Sequence, residues 1–222
     1  ALLAEERLPA ADSALATELT YGTLRQRGYY DRVLSLVTRR APDRLDPEVL
    51  DALRLGAHQL LSTRIPAHAA VGESVALVAA AGKRSATGFV NGVLRTLSRT
   101  SPEEWRRRAV EGLTGDARIA VESSHPEWVV AALRDALAAE QRAEELPDLL
   151  AADNAPPQVS LVALPGLAVV AEAGKPGGVS PVAVRSTGGD PASHPLVAVG
   201  RVRVQDEGSQ LAALALSRAR AV

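Results

Sequence analysis

The sequence predicts a mainly α fold, a helical bundle followed by a small α+β module, and three observations carry this reading. Apolar residues recur at helical spacing almost to residue 150. Helix-start signals stand where those stripes begin, and after Asn154-Ala155-Pro156-Pro157 the pattern gives way to short alternating runs between Gly/Pro clusters.

Tyr30, Val33, Leu34 and Val37 fall at i, i+3, i+4 and i+7, and Val49, Leu53, Gly56 and Leu60 at i, i+4, i+7 and i+11. Val71, Val75 and Val78 make a third stripe, Phe89, Val93 and Leu97 a fourth, and Trp128, Ala132, Leu133, Ala136 and Leu137 a later one. Each is the core face of an amphipathic helix. Asp46-Pro47 supplies an N-cap with Pro at N1, Ser101-Pro102 with Glu104 reads as a capping box, and Ser124-His125-Pro126 opens another helix. About seven helices with short connections make a bundle. Beyond it, Gln158 to Leu164 is a short apolar run, Pro181 to Arg185 alternates, and Val202 and Val204 alternate with Arg201 and Arg203. Turns such as Gly174-Lys175-Pro176-Gly177-Gly178 and Gly188-Gly189-Asp190-Pro191 separate these strands. Leu211, Leu214, Ala215 and Arg218 then begin a further helix. The expected division is residues 1–124 as a helical domain and 125–222 as a helical linker with the α+β module.

Composition narrows the chemistry. The 222 residues contain no Cys, which excludes a disulfide scaffold, a thiolate zinc site and a Cys nucleophile. No apolar run reaches the roughly 18 residues of a membrane span, and no signal-peptide pattern opens the chain, so it reads as soluble and intracellular. Beginning at Ala1 without Met and breaking off at Arg220-Ala221-Val222 inside a helical pattern, it reads as a fragment.

The net charge of −1 hides an uneven distribution. From Ala52 to Pro102 the cations Arg54, Arg64, Lys83, Arg84, Arg95 and Arg99 face one anion, Glu73, a surplus of five. Such a block suits an anionic partner, or is a solvated face paired with acids elsewhere; charge leaves both open. Residues 1–124 carry 17 cations and 15 anions, residues 125–222 carry 8 and 11, so a polyanion meets the first part.

Catalytic patterns are largely missing. Gly174-Lys175-Pro176 has Pro where a phosphate loop needs Ser or Thr, and reads as a flexible turn. Histidines 58, 68, 125 and 194 lack metal-ligand spacing. No catalytic, cofactor-binding or metal residue emerges. Gly22, Gly56, Gly72, Gly88 and Gly92 sit inside periodic segments, where each costs about 0.8–1 kcal/mol relative to Ala. Tight helix packing or direct contact with RNA offsets that; Asn91, beside Gly88 and Gly92, is expected as a buried amide. In the segment Thr63 to Val75, Pro66 presets a helix start whose N–H groups attract anions, with Arg64 and His68 adjacent. His68 is either a phosphate contact or a structurally bonded neutral ring. Glu73 is expected to hold Arg64 or Arg95 in place.

Arg64-Ile-Pro-Ala-His-Ala-Ala-Val-Gly-Glu73 and Gly88-Phe-Val-Asn-Gly-Val-Leu-Arg95 together resemble the NusB-type RNA-binding helical domain. The continuation through His125-Pro-Glu-Trp128, Asn154-Ala-Pro-Pro157 and Val204-Gln-Asp-Glu-Gly-Ser-Gln-Leu211 resembles the N-terminal region of the Fmu/Sun/RsmB family of S-adenosylmethionine-dependent cytosine-5 methyltransferases of small-subunit ribosomal RNA. The resemblance implies a cytoplasmic bacterial RNA-processing enzyme. It implies S-adenosylmethionine as cofactor of the parent protein, and small-subunit ribosomal RNA as partner. In the family, the Val-Gln-Asp motif precedes a Rossmann-like domain that supplies a glycine-rich cofactor loop and two cysteines. This chain stops before that loop and has no Cys. A thiolate adduct on the ring is what makes the target carbon nucleophilic. The implied role here is therefore RNA docking without methyl transfer or cofactor binding, with the catalytic domain packing on the second module. The alternative is a non-catalytic NusB-like antitermination or RNA–protein adaptor. The candidate RNA-binding residues are Arg64, His68, Lys83, Arg84, Arg95 and Arg99. All six aromatics (Tyr21, Tyr29, Tyr30, Phe89, Trp105, Trp128) lie at or before residue 128, so the second module has no ring on which to stack a base and phosphate contacts from the helices are expected.

Overall fold

The computed structural model describes residues 8–156, 158–186 and 191–218. The chain forms two compact units, Ala1–Asn154 and Ala155–Val222. Pro157, the Gly188-Gly189-Asp190 turn and Arg220-Ala221-Val222, all used in the sequence reading, lie outside the described residues.

The first unit contains nine α-helices among the described residues: α1 (Ala10–Arg25), α2 (Arg27–Thr38), α3 (Pro47–Ser62), α4 (Ala67–Ala80), α5 (Thr87–Ser98), α6 (Pro102–Ala109), α7 (Gly115–Ser123), α8 (Glu127–Ala139) and α9 (Leu146–Asp153). Helix α3 is the centre, packed by α1, α2, α4 and α5. Its stripe Val49, Leu50, Leu53 joins Leu34, Val71, Val78, Val90, Val93 and Leu94 in one core, and Ala57 and Leu61 join Tyr29, Tyr30, Val33, Leu97 and Trp105 in a second. The Trp105 indole N–H is satisfied by the Leu97 carbonyl at 3.0 Å, as a buried donor must be.

Two stripes shift from their expected register. Phe89 is 36% exposed because the buried face of α5 runs Val90, Val93, Leu94, Leu97. Trp128 is 74% exposed, and α8 packs instead through Val130, Leu133 and Leu137 onto Ala120, Leu146 and Leu150.

The caps also part from expectation in places. Asp46 accepts the Glu48 N–H and Ser101 the Glu104 N–H, with Pro at N1 in both helices. The Glu104 carboxylate, however, turns outward to Arg107 and Arg108, each at 2.6 Å, so the capping box forms only by half. Ser124 caps no following helix. It ends α7 in the left-handed region (φ 58°), and its hydroxyl accepts the Tyr29 N–H at 2.8 Å.

The compact boundary follows Asn154, beyond the 124/125 division expected from sequence, because α8 and α9 pack on α7. Arg134 pairs with Asp116 across α7 and α8. His125 Nδ1 and Asn154 Nδ2 both converge on the Ser123 carbonyl, which gives two of the motif residues a structural task.

The second unit holds four antiparallel strands in the order β2-β3-β1-β4: β1 (Ser160–Ala163), β2 (Lys175–Pro176), β3 (Ala183–Arg185) and β4 (Val202–Val204). Leu161 faces Val184 on one side and Val204 on the other. Leu161, Ala163, Ala173, Val184 and Val202 form the core with the short helices α10 (Val170–Ala173) and α11 (Pro195–Ala198). Helix α12 (Glu207–Arg218) follows β4.

The Val204–Leu211 motif joins these parts. Asp206 accepts the Ser209 N–H at 2.8 Å, capping α12. Gln210, 1% exposed, donates to the carbonyls of Leu161 and Gln205. The Glu207 carboxylate accepts the N–H groups of Gly178, Val179 and Ser180 at 3.0, 2.6 and 2.7 Å. Gly177 is obligatory there, since a Cβ would lie 2.3 Å from that of Ala183.

Those three donors hold the Glu207 carboxyl below its ordinary value of 4.5. A depressed carboxylate contributes stability above its unfolded value, lost as pH falls through the lowered folded value. Glu207→Gln is therefore expected to lower the melting temperature of the second unit at neutral pH. The gap to the unaltered protein should close as pH drops below the ordinary carboxylate range; thermal melts across that range measure it.

Candidate nucleic-acid interface

The α4–α5 hairpin collects several of the expected RNA-binding residues. Pro66 sets the start of α4, placing His68 in its first turn, and α5 returns antiparallel so that its last turns lie beside that start. A groove of about 380 Å³ results, lined by His68, Val71, Gly72 and Val75 from α4 and Asn91, Arg95 and Ser98 from α5. His68, Gly72 and Val75 repeat the i, i+4, i+7 spacing of Asn91, Arg95 and Ser98, which is how two helix faces present parallel rows.

The six expected residues are not one cluster. His68 and Arg95 share the groove, and Arg99 follows α5 at the same end. Arg64 is exposed in the connection before Pro66. Lys83 and Arg84 stand past the far end of α4, about 20 Å away for a helix of this length. Lys83 is also engaged, with its Nζ 2.6 Å from Asp46 and 3.5 Å from Glu48. Hydrogen bonding to Asp46 raises the Lys83 ammonium above its ordinary value, and that bond in turn lowers the Asp46 carboxyl. Arg54 is similarly held by Asp31, at 2.7 and 2.8 Å. The reading as a face paired with acids elsewhere thus holds for part of the basic block. Two of its cations pair with acids elsewhere, whereas Arg64, Arg84, Arg95 and Arg99 have no carboxylate partner among the described residues.

Glu73 makes no ion pair with Arg64 or Arg95 among the described residues. It borders a separate, mainly apolar groove with Leu15, Leu19, Leu55 and Leu77. Asn91 takes the role expected of Glu73. Only partly buried, its Oδ1 accepts the Arg95 Nε–H at 3.0 Å, leaving the outer guanidinium nitrogens for a ligand. Sequence reading missed this orienting bond and the groove position of Ser98, although the i, i+4, i+7 spacing carried the signal.

The glycines separate into two kinds. A Cβ on Gly22 would lie 2.5 Å from the His58 ring, and one on Gly56 2.6 Å from Leu94. These two are required by packing. Beside Gly72, Gly88 and Gly92 there is nothing within 4 Å. Their helix-propensity cost of about 0.8–1 kcal/mol each is offset by no internal contact. All three are exposed, and Gly72 lines the groove with His68 and Arg95, where a sugar–phosphate backbone can approach the helix closely.

In the second unit, Lys175–Pro176 is strand β2 rather than a flexible turn, and the amides of Gly178, Val179 and Ser180 that follow it are occupied by Glu207, leaving none of them to cradle a phosphate. No group of His, Asp and Glu suited to a metal ion occurs among the described residues, and no described helix is long and apolar enough to cross a membrane.

Residues 2–99 match the NusB family. Over 99% of its length the chain is 42% identical to Rv1407 of Mycobacterium tuberculosis (strain H37Rv), which bears a provisional methyltransferase name; the match covers 49% of that protein. It is 31% identical, over 94% of its length, to ribosomal RNA small subunit methyltransferase B of Pseudomonas putida (strain KT2440), covering 48% of it. The chain spans about half the length of these curated relatives. Its fold is that of the protein described as "Crystal Structure of PH0851", with a TM-score of 0.70 at 15% identity over 95% of this chain and 48% of that one. Residues 2–99 are thus similar to the NusB family, and nearly the whole chain is similar to a protein named ribosomal RNA small subunit methyltransferase B.

Proposed function

We propose that this chain is the RNA-docking part of an S-adenosylmethionine-dependent methyltransferase acting on cytosine C5 of small-subunit ribosomal RNA. The observation that carries the reading is the groove that places Gly72 and His68 beside an Arg95 oriented by Asn91, with Gly88 and Gly92 open to solvent on the same helix as Arg95. Arg64, Arg84 and Arg99 extend the cationic surface, and Lys83 adds to it less because Asp46 already neutralises it. The relatives' names supply the substrate class. Such an enzyme works in the bacterial cytoplasm, where its RNA is.

Catalysis belongs, on this reading, to the half of the relatives that the chain does not span. The residues present do not fit the cofactor. The glycine-rich turn of the second unit is filled by Glu207, and no Cys is available as nucleophile. The catalytic part would pack on the apolar side of α12 that carries Leu211, Leu214 and Ala215, where Leu211 is exposed. Calorimetric titration of residues 1–222 with S-adenosylmethionine is expected to show no saturable binding; micromolar binding would place the cofactor site inside this chain.

Replacing Arg64, Arg84, Arg95 and Arg99 together by Ala should weaken binding to a small-subunit ribosomal RNA helix and flatten its salt dependence. The slope of log affinity against log salt should fall by about 0.7–0.9 for each phosphate that the variant no longer neutralises. Titrations at several salt concentrations read this directly, and an unchanged affinity in the folded variant removes the surface from consideration.

The glycines give a second, opposite-signed expectation. Gly88→Ala with Gly92→Ala should stabilise α5 by up to about 1 kcal/mol per site, because nothing opposes the added methyl groups. RNA affinity should nevertheless fall. Denaturant melts beside binding curves separate the two effects.

A further inference from the structure

His58, on α3, is 2% exposed and lies in a hydrogen-bonded chain that links α2 and α3 beneath α1. Its Nδ1 is 2.8 Å from the Tyr30 hydroxyl of α2, which is 2.7 Å from the hydroxyl of Ser62 at the end of α3. Its Nε2 points toward α1 and has no hydrogen-bond partner in the structure; Glu18 Oε1 lies 3.7 Å away. Gly22 of α1 lies directly over the ring, close enough to exclude any side chain. Helix α1 is thus the cover that keeps this imidazole dry.

That cover is weakly held. Among its described side chains only Gly22 and Thr23 are buried, and the Thr23 hydroxyl is itself buried without a partner. Leu15, Tyr21 and Leu24 are all exposed. Elements that bury little apolar surface open at the lowest free energy.

We propose that α1 is a pH-sensitive latch, seated over a neutral His58 and released when the imidazole takes up a proton. Two charged groups of α1 face the ring, with Glu18 favouring the imidazolium and Arg25 opposing it; burial opposes it more strongly than Glu18 favours it, and His58 lies below its ordinary value of 6.5. On α2, burial pushes the Tyr30 hydroxyl up to about 12, with the titratable Tyr29 and the charged Arg106 and Glu18 as its further neighbours, so that end of the chain stays protonated and neutral. Release of α1 wets the ring and restores its ordinary value. Docking is therefore complete above about pH 6.5 and weakens as pH falls through that value toward the depressed one.

Amide hydrogen exchange on the 222-residue chain at about pH 7.5 and about pH 5.5, corrected for intrinsic rates, tests the latch. Protection over residues 10–25 is expected to drop several-fold at the lower pH, while α3 to α5 keep theirs. His58→Gln, which can still bond Tyr30, should abolish the pH difference. An NMR titration of the unaltered protein gives an independent readout: the His58 ring should titrate below its ordinary value, and further below it in Glu18→Gln. A ring titrating at or above the ordinary value, or a pH-dependent opening that persists in His58→Gln, overturns the latch.

Discussion

The close approach of α3 to its neighbours is the constraint on which the rest of the first unit depends. Gly56 lets Leu94 of α5 and Ser74 of α4 reach the α3 backbone, and Gly22 lets α1 close over His58. Cores are packed without room for an extra methyl group, so these approaches fix the position of α4 and α5 against α3. The hairpin of α4 and α5 then has one geometry, in which the first turn of α4 lies beside the last turns of α5. That geometry is what brings His68 to Arg95.

Charge follows from the same scaffold. Arg54 and Lys83 lie near carboxylates carried by other elements, Asp31 and Asp46, and serve the fold. The exposed Lys83–Asp46 pair contributes little to stability and the more buried, two-pronged Arg54–Asp31 pair more, and both occupy the cation. The arginines without such partners sit in the connection before α4 and at the ends of α5, and the surface between them is bare of side chains at Gly72, Gly88 and Gly92. Phosphate contacts fix position rather than sequence. A surface of this kind suits docking to a phosphate backbone.

The second unit uses its polar motif differently. Asp206, Glu207 and Gln210 satisfy the start of α12, three amides of a turn and the carbonyls of Leu161 and Gln205. Glu207 and Gln210 join the helix to the 178–180 turn and to β1, whereas Asp206 caps the helix locally.

By itself the sequence determined the helical periodicity, the Pro-led starts of α3, α4 and α6, the change of character near residue 155 and strand-like runs at 158–164, 181–185 and 202–204, within which three of the four strands form. These are local properties, set by side-chain period and backbone chemistry, and the motifs that resemble the NusB-type domain were equally legible. Only the tertiary structure decided which of five helical glycines are packed and which are open, because that depends on what lies opposite each. It also decided that Lys83 is paired and Arg95 is not, that Asn91 rather than Glu73 orients Arg95, and that Phe89 and Trp128 face outward. Pairing and exposure are properties of neighbours distant in the chain, and one-dimensional spacing does not contain them.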